Sequence, residues 1–477
     1  MSNQEAVPAQ ERLSAAATVA SDEAPAEERQ QAAFVAGERN DGLRGRGTLR
    51  IGVLGCGNVG SAFVELVTER SKEIEARTGI QLEVVRVAVR NLSRNRDIEL
   101  DPALLTNDAA TIVSDPDVDL VVEVIGGIEP ARELIVAALT AGKPVVTANK
   151  ELLANVGVEL YEVAEQRGVD LLFEAAVAGG IPIVRALRES LRGEAISRVM
   201  GIVNGTTNYI LTKMSELQMP YAAALAEAQR LGYAERDPTA DVEGFDAGAK
   251  AAIMATIVSG SKVVAGQVYH EGISNLTLAD IEVARRLGYV VKLLAVIDID
   301  RDAASGEGSV GVRVHPAMVP TTHPLASVRD SFNAVFVEGG AVGSLMFYGR
   351  GAGGHPSASA VLGDVIDAAV NLVKGTHGSL GTFGRSRIRP IDELTSEYLI
   401  GLEVADEPGV LHAVTGVLAA HGVSIRAAEQ EGLGPDARLF FITHDAKESA
   451  VQATVHELRE LASVRSVDAL LRVVGPA

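Results

Sequence analysis

The 477-residue sequence contains no tryptophan and a single cysteine, Cys56. One cysteine cannot close an intrachain disulfide, and it leaves a cysteine-built metal centre without ligands. Positive charge is also scarce: 43 Lys and Arg against 63 Asp and Glu give a formal net charge of −20. So acidic a chain is a poor partner for nucleic acid or an anionic membrane, although a local positive patch can still hold an anionic cofactor. No uninterrupted apolar run reaches the length needed to span a bilayer. The N-terminal thirty residues lack the basic start and apolar core of a secretory signal, and their Glu and Asp argue against a transit peptide. The expectation is a cytoplasmic protein. What is present is a globular composition, long enough for two to four domains with real cores.

Residues 1–48 are rich in Ala, Glu, Gln and Ser, with few large apolar side chains, and read as a mostly disordered tail. From Leu49, apolar strands alternate with amphipathic helices: LRIGVLG, SAFVELVTERSKEIE, LEVVRVAVR, DVDLVVEVIGG, ARELIVAALTAG, KPVVTANK, ELLANVGVELYEVAEQRG. That alternation predicts a doubly wound α/β domain with a parallel sheet over 49–182. Between 183 and 349, longer helices and strands such as SRVMGIVNG and VVKLLAVIDID predict an α+β domain for substrate binding and assembly. A helix at 354–375 follows a Gly-rich turn, and its position suggests a return to the first domain. Residues 396–477 run in βαββαβ order, short enough for a self-contained module.

GCGNVG, Gly55 to Gly60, follows a strand and opens a helix. In that context G-x-G-x-x-G points to a Rossmann-type dinucleotide site. Gly55 permits the tight turn, Gly57 lets backbone approach a pyrophosphate, and Gly60 lets the helix pack on the sheet. Asn58 and Val59 open the helix whose free N–H groups favour phosphate. Cys56 is a small filler. The second strand ends at Arg90 where an acidic residue would bind a ribose 2′-hydroxyl. With Arg94 and Arg96 nearby, this favours a 2′-phosphate, hence NADP over NAD; the alternative is a solvent-facing basic loop. VVEVIGG brings Gly126 to the edge where the nicotinamide would lie.

TANK places Lys150 just past a parallel strand, where ligands bind in open α/β sheets. EAAVAGGIPIV, from Glu174, is small and Gly-rich, suited to close backbone packing or a cation bound by carbonyls. GIVNGTTNYIL groups Asn204, Thr206, Thr207 and Asn208 at a strand–helix junction, as helix caps or facing a polar substrate. GYAERDPTADVEGFDAGAK, 232–250, crowds five carboxylates and two cations into nineteen residues. Composition leaves three readings of it: a solvated acidic loop, a divalent-metal site, or the charged half of an active site. Pro238 and the irregular spacing do not match a calcium loop.

Together and in this order, GCGNVG, VVEVIGG, VTANK, EAAVAGGIPIV, GIVNGTTNYIL, GYAERDPTADVEGFDAGAK and HPLASV resemble homoserine dehydrogenase over residues 50–395. The form it is similar to is the bacterial one with a C-terminal ACT domain, which accounts for the βαββαβ module. The resemblance implies reversible conversion of L-homoserine to L-aspartate 4-semialdehyde with NADP or NAD. By position it implies Lys250 as the catalytic lysine, with Lys150 its partner at the cofactor. Glu235 and Asp246 bind the amino acid, and Asp241 lies in the same acidic loop. Gly232 and Gly353 touch the cofactor, and Glu174, Val177, Gly179 and Ile181 form a sodium site. It also implies a homodimer through 183–349, a tetramer if ACT domains pair, and threonine as feedback effector at 405–411.

The chemistry asks for a group that takes the substrate's hydroxyl proton as hydride leaves. Two lysines in one cleft lower each other's proton affinity, while Asp246, i−4 from Lys250, opposes that. Which lysine carries the proton stays open at this level. Glu235 or Asp246 can hold the α-ammonium. A non-catalytic NADP-binding sensor is the rival from another class, and loss of either lysine would mark it; both are present.

Overall fold

The structure, a computed structural model, describes residues 47–93, 98–301, 308–381, 383–384, 386–432 and 437–475. The expected N-terminal tail, up to residue 46, lies outside the described residues, as do Arg94 and Arg96.

Six strands form the first sheet: β1 (Thr48–Leu54), β2 (Gln81–Ala88), β3 (Leu105–Thr106), β4 (Leu120–Glu123), β5 (Val145–Thr147) and β6 (Leu171–Leu172). They run parallel in the order β3-β2-β1-β4-β5-β6, the dinucleotide-binding arrangement. The apolar runs of the central strands β1, β4 and β5 and of β6 are buried on both faces, as a sheet covered by helices requires, while β2 and β3 toward one edge are only partly so. The Gly354–Lys374 helix packs its Ala358, Val361, Leu362 and Val365 face into the same core as Phe63 and Val67 of the Asn58–Thr78 helix. It is long and apolar enough to cross a membrane by composition alone, but that face belongs to this core.

The second sheet is mixed. From one edge it orders Gly343–Arg350, Phe332–Gly339, Ile196–Ile202, Tyr289–Arg301, Gly308–Pro320, Val464–Val473, Thr395–Val404, Arg438–Thr443 and Ile425–Glu431. The last four strands belong to the C-terminal βαββαβ module. That module is not self-contained: its last strand pairs in parallel with Gly308–Pro320 through Ala317–Arg472 and Met318–Val473. Gly308–Pro320 pairs along its full length with Tyr289–Arg301, and its other edge is covered in succession by the short strands Arg387–Arg389 and Tyr269–His270 and then by the module.

Candidate active site

Asn149 begins the site. Its side chain accepts from Leu152 N (3.1 Å) and caps the Lys150–Arg167 helix, so Lys150 leaves the sheet edge at a fixed angle. Opposite, Gly244 in the left-handed region (φ 84°) turns the acidic stretch into the Phe245–Ser259 helix. Asp246 and Lys250 then share one face of that helix.

The Asp246 carboxylate, 7% exposed, grips both lysines: Lys150 Nζ on one oxygen and Lys250 Nζ, at 2.7 Å, on the other. Lys250 also donates to Val203 O (2.7 Å). Asn204 caps a helix, one of the two roles left open for it: its oxygen accepts from Thr207 N, while its amide donates to Asp241 Oδ1 (2.7 Å) and Asp246 Oδ2 (2.9 Å). Thr206 donates to Tyr233 O (2.6 Å), pinning the start of the acidic stretch against that helix.

The two lysines are driven apart electrostatically. Burial lowers the proton affinity of Lys250, and the Lys150 charge adds to that against the pull of Asp246. Burial also works against the charged form of Lys150, but Asp246, Asp241 and Glu151 outweigh it and raise its pKa. Burial would raise Asp246, yet Lys250 and Lys150 together hold it well below the usual carboxylate range. One row thus contains an ammonium and a carboxylate whose charged forms are favoured and a second lysine whose charged form is disfavoured.

A cavity of about 750 Å³ opens onto this row, lined by Lys150, Glu235, Asp241 and Asp246. Lys250 lies one layer deeper, behind Asp246. The opposite wall comes from residues the sequence did not single out as cavity lining: Phe245, Val268 and His270. His270 stands where a Cβ at Gly248 would be, so glycine there makes room for the ring, and burial lowers its pKa. His315 and His323 are buried.

On the cofactor side, Gly55 (φ 107°) turns back against Val124 O, and a Cβ at Gly60 would lie 2.2 Å from Gly55 O. Gly57, Gly126 and Gly232 face open space, and Asn58 is exposed at the helix start with Val59 half-buried behind it. Gly353 (φ 127°) caps a second helix, whose Gly354 comes against Asn58 O; a Cβ there would lie at 2.9 Å. Two helix N-termini thus converge on the Gly-rich turn, a cradle that suits a pyrophosphate. Arg90 is exposed at the end of β2. Cys56 lies 3.4 Å from Ser61 Oγ inside the turn.

Glu174 is buried, its oxygens accepting from Val184 N and Arg185 N (both 2.8 Å). Ala178 and Gly179 are both left-handed (φ 54°). Among the described residues no donor reaches the Val177 or Gly179 carbonyl, whereas the Ile181 carbonyl accepts from Ile183 N.

A dinucleotide cradle beside a lysine–aspartate–lysine row defines a nicotinamide-dependent oxidoreductase. Residues 182–366 match the homoserine dehydrogenase family, residues 55–174 the homoserine dehydrogenase NAD binding domain, and residues 398–463 the ACT domain. The homoserine dehydrogenase of Corynebacterium glutamicum is 49% identical over 424 residues, 89% of this chain and 95% of that protein. That of Mycobacterium tuberculosis is 47% identical over 433 residues, covering 89% and 97%. The crystal structure of the Thiobacillus denitrificans enzyme superimposes with a TM-score of 0.83 at 38% identity, covering 90% and 98%. A hyperthermophilic archaeal homoserine dehydrogenase in complex with NADPH gives 0.57 at 29%, covering 68% and 98%. The chain belongs to the homoserine dehydrogenase family, as an ACT-domain member, and is an oxidoreductase acting on a CH–OH group.

Proposed function

We propose that the chain interconverts L-homoserine and L-aspartate 4-semialdehyde with NADP preferred over NAD, in the cytoplasm, on the route to threonine, methionine and isoleucine. The observation that carries the reading is the Asp246 carboxylate holding one lysine with raised and one with lowered proton affinity. Glu235, exposed in the cavity, or Asp246 holds the α-ammonium by a charge-assisted bond, with Asp241 beside them in the same acidic loop. Lys150 remains an ammonium and stabilises negative charge on the C4 oxygen. Lys250 takes the hydroxyl proton as the C4–H bond breaks. Bound NADP, held by Gly55, Gly57, Asn58, Val59, Gly60, Gly126, Gly232 and Gly353 with Arg90 toward the 2′-phosphate, supplies the hydride acceptor. Asp246 is gripped by two ammonium groups that a divalent cation would have to displace, which disfavours the metal reading of the acidic stretch.

Sodium at Glu174, Val177, Gly179 and Ile181 is part of this proposal, supported by carbonyls left without donors beside a buried carboxylate. Homodimer formation through 183–349 is supported by the outer strand Gly343–Arg350, where Tyr348 is 55% exposed, and tetramer formation would pair ACT modules. Threonine is proposed as the ACT effector near the exposed turn at Gly409 (φ 95°), which opens the Val410–Ala420 helix. The test is NADPH consumption with aspartate semialdehyde, and NADP reduction with homoserine, on wild type and Lys250→Ala. Collapse of turnover with cofactor binding retained supports the assignment; a folded, cofactor-binding Lys250→Ala of unchanged turnover refutes the role of Lys250. Titrating NAD against NADP, sodium and threonine in the same assay tests the remaining parts.

A further inference from the structure

Glu123, the last residue of β4, is fully buried, yet among the described residues no lysine or arginine is paired with it. A carboxylate in that position is costly unless donors replace its water. Its Oε1 accepts from Ile125 N (2.8 Å) and Gly126 N (3.1 Å), the turn of the IGG loop, where Gly126 and Gly127 are both left-handed (φ 79° and 74°). Its Oε2 takes the hydroxyl hydrogen of Thr147, the last residue of β5. The Thr147 oxygen in turn accepts from Asn149 N (3.0 Å), and Asn149 Nδ2 donates to Gly127 O (2.7 Å). Asn149 is also the cap of the helix that starts at Lys150. Two rungs therefore join the IGG loop to the lysine-bearing loop, one at the base through Glu123 and one at the tip through Asn149.

We propose that Glu123 is a positioning residue for the dehydrogenase reaction, locking the cofactor-side loop 125–127 and the Lys150 loop into one rigid edge of the crevice. An apolar residue would end β4 at less cost, but it would leave the Ile125 and Gly126 amides and the Thr147 hydroxyl without an acceptor. Hydride transfer needs the reacting atoms aligned closely, and a small misplacement of either loop is felt in turnover. The inference rests on the proposed role of Lys150 at the cofactor.

The experiment measures kcat, the homoserine KM and the NADP Kd, with thermal melting, for Glu123→Gln, Thr147→Val, Thr147→Ser and the double variant Glu123→Gln/Thr147→Val. Glu123→Gln and Thr147→Val should each lower kcat roughly tenfold and weaken NADP binding several-fold, with homoserine KM little changed. The double variant should be no worse than the poorer single one, because both break the same rung. Thr147→Ser, which keeps the hydroxyl, should recover most of the loss. Wild-type kcat and Kd in Glu123→Gln overturn the inference, as do multiplying effects in the double variant. If Glu123→Gln fails to fold, equal activity in Thr147→Val and Thr147→Ser overturns it. Wild-type protein without homoserine turnover would instead sink the functional reading, a distinct result.

Discussion

Among the ionic triads of the described residues, two are mirror images in charge. In the cavity, one carboxylate holds two lysines, Lys150–Asp246–Lys250. Where the ACT module meets the substrate domain, one arginine holds two carboxylates: Arg472 grips Glu448 through Nε (3.0 Å) and Nη2 (2.9 Å) and reaches Glu271 through Nη1 (2.6 Å). The difference lies in which member can change its protonation. Burial works against Arg472 too, but Glu448 and Glu271 push its pKa further up, so it stays charged at any working pH. Lys250 moves the other way. The charges of the first triad pull its two lysines in opposite directions, and the second is a clasp. The clasp is anchored one residue from the cavity, because Glu271 immediately follows the short strand Tyr269–His270, whose His270 lines it.

The largest way to break this contrast is to make the first triad resemble the second. Lys250→Arg keeps the charge and removes the exchangeable proton. It should cut kcat by roughly 10²-fold or more, the usual size of an acid–base contribution, while NADP binding persists. Stopped-flow hydride transfer and cofactor titration on the same preparation check it; retained turnover would mean Lys250 is only a charge.

Breaking the clasp should be felt in stability instead. Arg472→Met leaves Glu448, 3% exposed, without its cation, and the cost expected is about 3 kcal/mol or more in urea unfolding. Turnover of the remaining folded enzyme should change less than its midpoint.

Much of the first triad was legible in the sequence, because its parts are local. GCGNVG announces a turn, TANK ends a strand, and the i, i+4 spacing within DAGAK fixes Asp246 beside Lys250. The clasp was not legible: Glu271 and Arg472 are 201 positions apart, and they meet because Tyr269–His270 and Val464–Val473 both pair with Gly308–Pro320. Asn204 is intermediate, since its capping role shows in the strand–helix junction while its bonds to Asp241 and Asp246 depend on the tertiary fold. Lys292 in VVKLLAV carries no local mark at all. Yet it is buried, donates to Asn208 Oδ1 and Val328 O, and is pushed by burial down to about 8. Pattern reading finds elements and their ends; side chains meeting across elements need the topology first.

A subtler change separates the two lysines. Homoserine oxidation should climb with pH as Lys250 loses its proton, on a limb below the ordinary lysine range. The Lys150 charge is one cause of that lowering. Lys150→Met removes it, so the surviving activity should show its limb moved to higher pH. A limb moved to lower pH would reverse the assignment, making Lys150 a partner that stabilises the Lys250 charge. The kcat profile with saturating homoserine and NADP reads this directly, because it reports groups in the bound complex.

The smallest effect sharpens the comparison from inside the clasp. Glu448 is buried and takes two parallel bonds from Arg472, whereas the Glu271 side chain is 36% exposed and takes one. Solvent screens the Glu271 pair, so Glu271→Gln should cost less than about 1 kcal/mol in urea unfolding. Glu448→Gln should cost several times more, since the amide keeps one acceptor oxygen where the carboxylate uses both, one toward Tyr398 and Arg472 Nε and the other toward Arg472 Nη2 and Gln452. If the two substitutions cost the same, the clasp would be held by geometry at Arg472 and not by burial of its partner. The ranking of Glu448 above Glu271, more than either value, would place the strong pair inside the module and leave the contact with the substrate domain to an exposed arm beside the cavity wall.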